Sequence, residues 1–248
     1  MEPFAEQTDD LGSEKVTTIN KVVPTLMELN EHLDEMKNAN TGVPGVKQYV
    51  TNLKNEMSDY FKYARNPEDK NFDPIYYTAC FLDPVRNVVL NKEQTKIAID
   101  HLKERMNIVE GEVVEDIPLA APVKGKSKFL ARRLIKNNNS SNAKKSPFTR
   151  DVERFRADCE TIQAKLCSDG TDEGFDKSVE DPLDYWVREE KKFETKIAEE
   201  AEDILCIPAC STSSERLFSV AGIMSEGRRI NTKPDNLEKA VLVKTNRR

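Results

Sequence analysis

Glu215 lies in the stretch around which this chain is organised. It sits in the run Ile207-Pro208-Ala209-Cys210-Ser211-Thr212-Ser213-Ser214-Glu215-Arg216-Leu217-Phe218-Ser219-Val220-Ala221-Gly222. Local physics assigns it a modest task. Pro208 closes whatever helix precedes it, because proline cannot continue the hydrogen-bond ladder. Thr212 stands at capping-box spacing before Glu215, so the pair is expected to satisfy orphan amides at a helix start. Leu217, Phe218, Val220 and Ala221 then give that helix an apolar side, and Gly222 suits its end. Asp83, directly before Pro84, is the other carboxylate that invites a catalytic role, and the plainer reading is a turn residue.

Metal and thiol chemistry find little support. The cysteines are Cys80, Cys159, Cys167, Cys206 and Cys210, an odd number with no CxxC pair, which disfavours a disulfide framework. His32 and His101 are the only histidines, and neither lies at ligand spacing from a cysteine, so no Cys/His zinc finger is present. No cofactor is expected.

Charge is uneven. The net charge is −6, which argues against a uniformly basic nucleic-acid surface, yet Lys124, Lys126, Lys128, Arg132, Arg133, Lys136, Lys144 and Lys145 follow one another with no acid among them. The bland reading is a solvated, disordered linker. Nuclear import or a weak, salt-sensitive nucleic-acid contact comes next. Membrane-surface binding is least favoured, since the segment has no long amphipathic face. No apolar run approaches the roughly 20 residues that span a bilayer, and the acidic N-terminus lacks the order of a signal peptide. A soluble intracellular protein is expected.

The elements that would position these residues read as helices. Residues 1–15 look like a disordered acidic tail. Helices are predicted over 18–37, with Leu26, Leu29, Leu33 and Met36 in step and Pro24 early, and over 46–65, with the stripe Val46, Val50, Leu53, Met57, Tyr60 and Phe61. The short connection makes them an antiparallel pair. A short buried helix is expected between Asp73-Pro74 and Pro84, and another helix over 93–108. Arg86 to Leu90 is the best candidate for a strand. Phe148, Val152, Phe155, Cys159, Ile162 and Leu166 predict one helical face over 148–167. Asp181-Pro182 should start a helix reaching Leu205, capped by aspartate with proline in its first turn. Thr232-Lys233-Pro234-Asp235 predicts a last helix through Leu237, Ala240 and Val241. The fold class expected is mainly α, with about eight helices. It divides into a helical region at 16–109, a basic low-complexity linker at 110–147 and a C-terminal helical region at 148–248.

Pro182-Leu183-Asp184-Tyr185-Trp186, then Ile207-Pro208-Ala209, Ser214-Glu215-Arg216-Leu217-Phe218-Ser219, Gly222, Arg228-Arg229 and Asn236 resemble, in order and spacing, the C-terminal dimerisation region of hAT-family DNA transposases. Leu82-Asp83-Pro84 resembles a motif late in that family's helical insertion. The resemblance implies a remnant of a ribonuclease-H-like fold, with insertion helices at 16–109 and the dimerisation region at 182–248. It also places Glu215 at the position of the third acidic residue of a DDE metal site, which drives attack on a phosphodiester. The two aspartates that complete such a site lie on strands far upstream in the family, and the chain is expected to lack them. One carboxylate cannot organise two divalent ions. Glu215 is therefore expected to be a vestigial, inherited position, and the chain not to be an enzyme.

The function expected is self-association, or pairing with related hAT-type proteins, through Leu183, Trp186, Ile207, Leu217, Phe218, Leu237 and Val241. Trp186 could equally be monomer core, because the two look alike in a sequence. The alternatives are a fragment of an active transposase supplying Glu215, and a nuclear DNA-binding regulator acting through the basic linker. The family implies a nuclear location, and a cytoplasmic one otherwise.

Overall fold

The computed structural model describes residues 2–13, 15–39, 45–108, 146–168, 181–212, 215–216, 219 and 239. Among the described residues all regular structure is helical, with no strand. The α-helices are α1 (Glu2–Leu11), α2 (Val22–Ala39), α3 (Val46–Tyr60), α4 (Lys62–Arg65), α5 (Ile75–Phe81), α6 (Lys92–Arg105), α7 (Pro147–Ser168), α8 (Pro182–Glu189) and α9 (Ile197–Leu205). The mainly α class read from periodicity is what the chain adopts.

Helix α5 is the strut around which the rest is arranged. Tyr77, Ala79, Cys80 and Phe81, with Leu82 beyond it, are all buried. Asp73 Oδ1 accepts the Ile75 amide at 2.9 Å, with Pro74 between them, as that dipeptide predicts. At the other end the fully buried Asp83 accepts the amides of Val85 at 2.8 Å and Arg86 at 3.0 Å, and the Arg86 guanidinium at 3.1 Å. It is the turn residue expected. That carboxylate curls the next residues, so Arg86–Val89, in the segment that is the best candidate for a strand by sequence, form a 3-10 helix. Helix α6 starts with a capping box between Asn91 and Gln94.

Helices α2 and α3 pack through Leu29, Leu33, Val50 and Met57, as their stripes predict. The expected helix over 46–65 is broken at Phe61, whose backbone leaves the α region before α4. Beyond the break Ala64 seats against Val22 and Leu26, and Tyr60, the last residue of α3, is 73% exposed instead of buried with the stripe. A second correction concerns the acidic tail expected over 1–15. Glu2–Leu11 form a helix, because Phe4 packs on the α2–α3 cluster and Leu11 on the Val22–Leu26 cluster. Lys21 pairs with Asp10 at 2.6 Å beside them.

The main core combines both sides of the basic segment. Ile19, Val23, α5, Ala98 and Leu102 join Phe148, Val152, Phe155 and Cys159 of α7, Tyr185 and Trp186 of α8, and Ile197, Ala201, Ile204 and Leu205. The helical groups expected at 16–109 and 148–248 thus share one core. Burying each large side chain contributes about 1.5–3 kcal/mol. The expected linker at 110–147 lies outside the described residues, apart from Ser146 and Pro147.

Candidate self-association region

Asp181 opens the C-terminal region as predicted. Its Oδ1 accepts the Leu183 amide at 3.0 Å, and Pro182 occupies the first turn of α8. Its Oδ2 accepts the Thr17 amide at 3.0 Å, which ties α8 to the segment before α2. The same carboxylate serves a local cap and a long-range tie.

Trp186 resolves to monomer core. It is fully buried, its indole N–H donates to Leu82 O at 2.8 Å, and its ring stacks on Phe155 with centroids 4.8 Å apart. A ring held on both faces by its own chain has nothing to present to a partner, so the interface role expected for it is corrected. Tyr185 is buried beside it and donates its hydroxyl to Asp158 at 3.0 Å. Burial and that carboxylate hold the phenol well above its ordinary pKa.

The helix expected from Pro182 to Leu205 is interrupted between Phe193 and Lys196. Asp151 of α7 causes the break. Fully buried, it accepts the Glu194 amide at 3.0 Å, the Thr195 amide at 2.7 Å and the Thr195 hydroxyl at 2.7 Å. These amides would otherwise need helical acceptors, and a carboxylate supplied from another helix substitutes for them. Arg154 pairs with Asp151 at 3.4 Å and donates to Lys192 O. Arg105 and Glu200 pair between α6 and α9.

After α9 the chain turns back over the N-terminal segment. The Ala209 amide donates to Thr18 Oγ1 at 2.9 Å, the Cys210 thiol donates to Leu11 O at 3.4 Å, and Arg216 donates to Gly12 O at 3.1 Å. Between the two segments runs a groove of about 380 Å³, lined by Leu11, Val16, Asp181, Leu183, Leu205, Ile207 and Pro208 among others. Leu183 and Ile207, both expected at an interface, meet there. Ile207 is 37% and Val16 44% exposed, and Val187, one turn beyond Leu183, is 61% exposed. The expected interface residues Leu217, Phe218, Leu237 and Val241 lie outside the described residues. So do the basic residues Lys124, Lys126, Lys128, Arg132, Arg133, Lys136, Lys144 and Lys145.

Glu215 is exposed and engaged locally. Ser211 Oγ donates to its Oε1 at 2.8 Å, and its amide donates to Ser211 O at 2.9 Å. The expected box with Thr212 is replaced by this Ser211 pair, while Thr212 Oγ1 lies 2.9 Å from Cys210 Sγ. Among the described residues no group of three or more His, Cys, Asp or Glu side chains converges as metal ligands.

Two features escaped the sequence. Asp151 reads as an ordinary charge at a helix start, and Thr18 as one polar residue among several. Each matters only through a partner far along the chain, so no local signal marks either.

No curated protein matches this chain. Residues 164–246 match the hAT family C-terminal dimerisation region. The match runs from the last turn of α7 through α8, α9 and the docked turn, and it covers the C-terminal motifs that carry the resemblance, while Leu82-Asp83-Pro84 lies outside it. Residues 164–246, about a third of the chain, are therefore an hAT-type C-terminal dimerisation region.

Proposed function

We propose that this chain is a self-association module, pairing with a second copy or a related hAT-type protein, and that it carries out no transposition chemistry by itself. The supporting observation is the groove where Leu183, Leu205, Ile207 and Pro208 of the dimerisation region meet Val16, with Val187 exposed on the adjoining turn of α8. Scattered surface apolar residues are ordinary, but a concave cluster inside a dimerisation region is where association would gain the most. Catalytic silence is supported by the position of Glu215, exposed and hydrogen-bonded to Ser211. A nuclear location goes with the family and the basic segment.

Light scattering over a concentration series tests association. A dimer is expected, weakened at least tenfold by Ile207→Asp, since a charge buried in an apolar contact costs more than 1.4 kcal/mol. A wild-type chain that stays monomeric at high micromolar concentration would overturn the reading. Magnesium-dependent strand transfer that is lost in Glu215→Gln would overturn the catalytic half.

A further inference from the structure

A second, larger groove adjoins the docked turn. Its volume is about 720 Å³, and it runs between α1, α2 and α3 with Ala209, Cys210, Ser211 and Thr212 as one wall. Phe4, Leu26, Leu53 and Met57 supply an apolar floor, and Gln7 and Glu56 lie at its polar margin. Along one side runs an aromatic row. Tyr60 and Phe61 stand 4.9 Å apart, Phe61 and Tyr63 6.2 Å, and Tyr63 and Tyr76 5.5 Å, centroid to centroid. Three of these rings pack inward, and Tyr60 heads the row 73% exposed.

We infer that this groove is part of the self-association surface and is filled by a second copy of the chain, so that the dimer contact extends from the hAT region onto α1 and α3. The inference rests on the self-association reading above. Continuity is its basis. Leu11 and Cys210 line both grooves, so the apolar surface of the dimerisation region passes around the docked turn into the larger groove. A wall contributed by residues 209–212 lies within the matched region, whereas Phe4, Leu53 and Tyr60 lie far outside it. An apolar floor, a polar margin and a protruding tyrosine are the composition of an interface centre, where tyrosine carries a disproportionate share of affinity. Tyr60 also departs from the buried stripe its spacing predicts, and contact with another molecule would return it to an apolar environment.

The test uses the full chain with a photo-crosslinking phenylalanine analogue at position 60, together with Tyr60→Asp and Tyr60→Phe. Illumination is expected to give a covalent dimer. Tyr60→Asp should raise the dimer dissociation constant at least tenfold with an unchanged circular dichroism spectrum, and Tyr60→Phe should stay within about threefold of wild type. Cross-linking confined to one chain would mean that the chain covers its own groove, and would overturn the inference. A dimer weakened by Ile207→Asp but indifferent to Tyr60→Asp would remove the groove and leave the self-association reading standing. A wild-type chain that does not associate at all would remove that reading, and this inference with it.

Discussion

Helices α8 and α9 and the turn that follows them belong to one family region, yet they meet the rest of the chain in different ways. Tyr185, Trp186, Ile197, Ala201 and Ile204 are buried among α5, α6 and α7, where dispersion and apolar burial hold them. Residues 207–212 lie at the surface, held by a few hydrogen bonds to Thr18 and Leu11 and lining two grooves. The inner half makes the module part of its own monomer. The outer half leaves Ile207 exposed beside Val16, the surface on which the proposed association rests. On that proposal, mutations in the two halves should fail differently.

The largest effect should come from the inner half. Trp186→Ala removes the central ring of the core and leaves Leu82 O without its donor, so a loss of about 3–5 kcal/mol is expected in denaturant unfolding. Association should fall only as the folded fraction falls. A variant that stays fully folded but monomeric would break the comparison. Next comes Asp151→Ala, which orphans the Glu194 and Thr195 amides and should cost about 2–4 kcal/mol. Hydrogen exchange at those two amides would rise first.

In the outer half, Thr18→Val withdraws the acceptor of the Ala209 amide. It should cost about 1 kcal/mol globally while speeding exchange at Ala209 well before the core amides open. Thiol labelling sharpens the same contrast. Burial raises the Cys80 thiol well above its usual range and that of Cys159 to about 12, whereas Cys167 and Cys206 are exposed. At neutral pH an alkylating reagent should modify the exposed pair quickly and the buried pair only on unfolding.

The smallest effect is a pH dependence. Burial, then the nearby Arg105, depresses the pKa of His101 below 6.5, against opposing pulls from Asp73, Glu104 and Glu200. The unfolded chain then binds the proton more readily than the native one, so stability is full above about 6.5 and declines as pH drops below it. His101→Gln should flatten that decline in thermal melts, and an unchanged slope would assign it to other groups.

Much of this was legible in the chain because it is local. Asp181-Pro182 starts α8 as predicted, Asp73-Pro74 starts α5, and the stripes of α2, α3 and α7 bury the apolar residues that periodicity marks. Tyr60 is the instructive exception, since at the very end of α3 it lies exposed although its spacing marks it for the buried stripe. The first residues misled in the opposite sense. Their acidic composition suggested a tail, but Phe4 and Leu11, spaced two turns apart, are enough to seat a helix against neighbours supplied by the fold.

By itself the sequence determined the helical class, the aspartate-proline starts of α5 and α8 and the likeness of its C-terminal region to the hAT dimerisation region, because each depends on residues within a few turns of one another. Only the tertiary structure decided that Trp186 belongs to the core, that the helix after Asp181 breaks at Glu194 and Thr195, and that the turn at Ala209 docks on Thr18. Those outcomes depend on partners 104, 44 and 191 residues away. A hydrogen bond between such distant groups has no periodicity to announce it, and it exists only once the chain has closed around both.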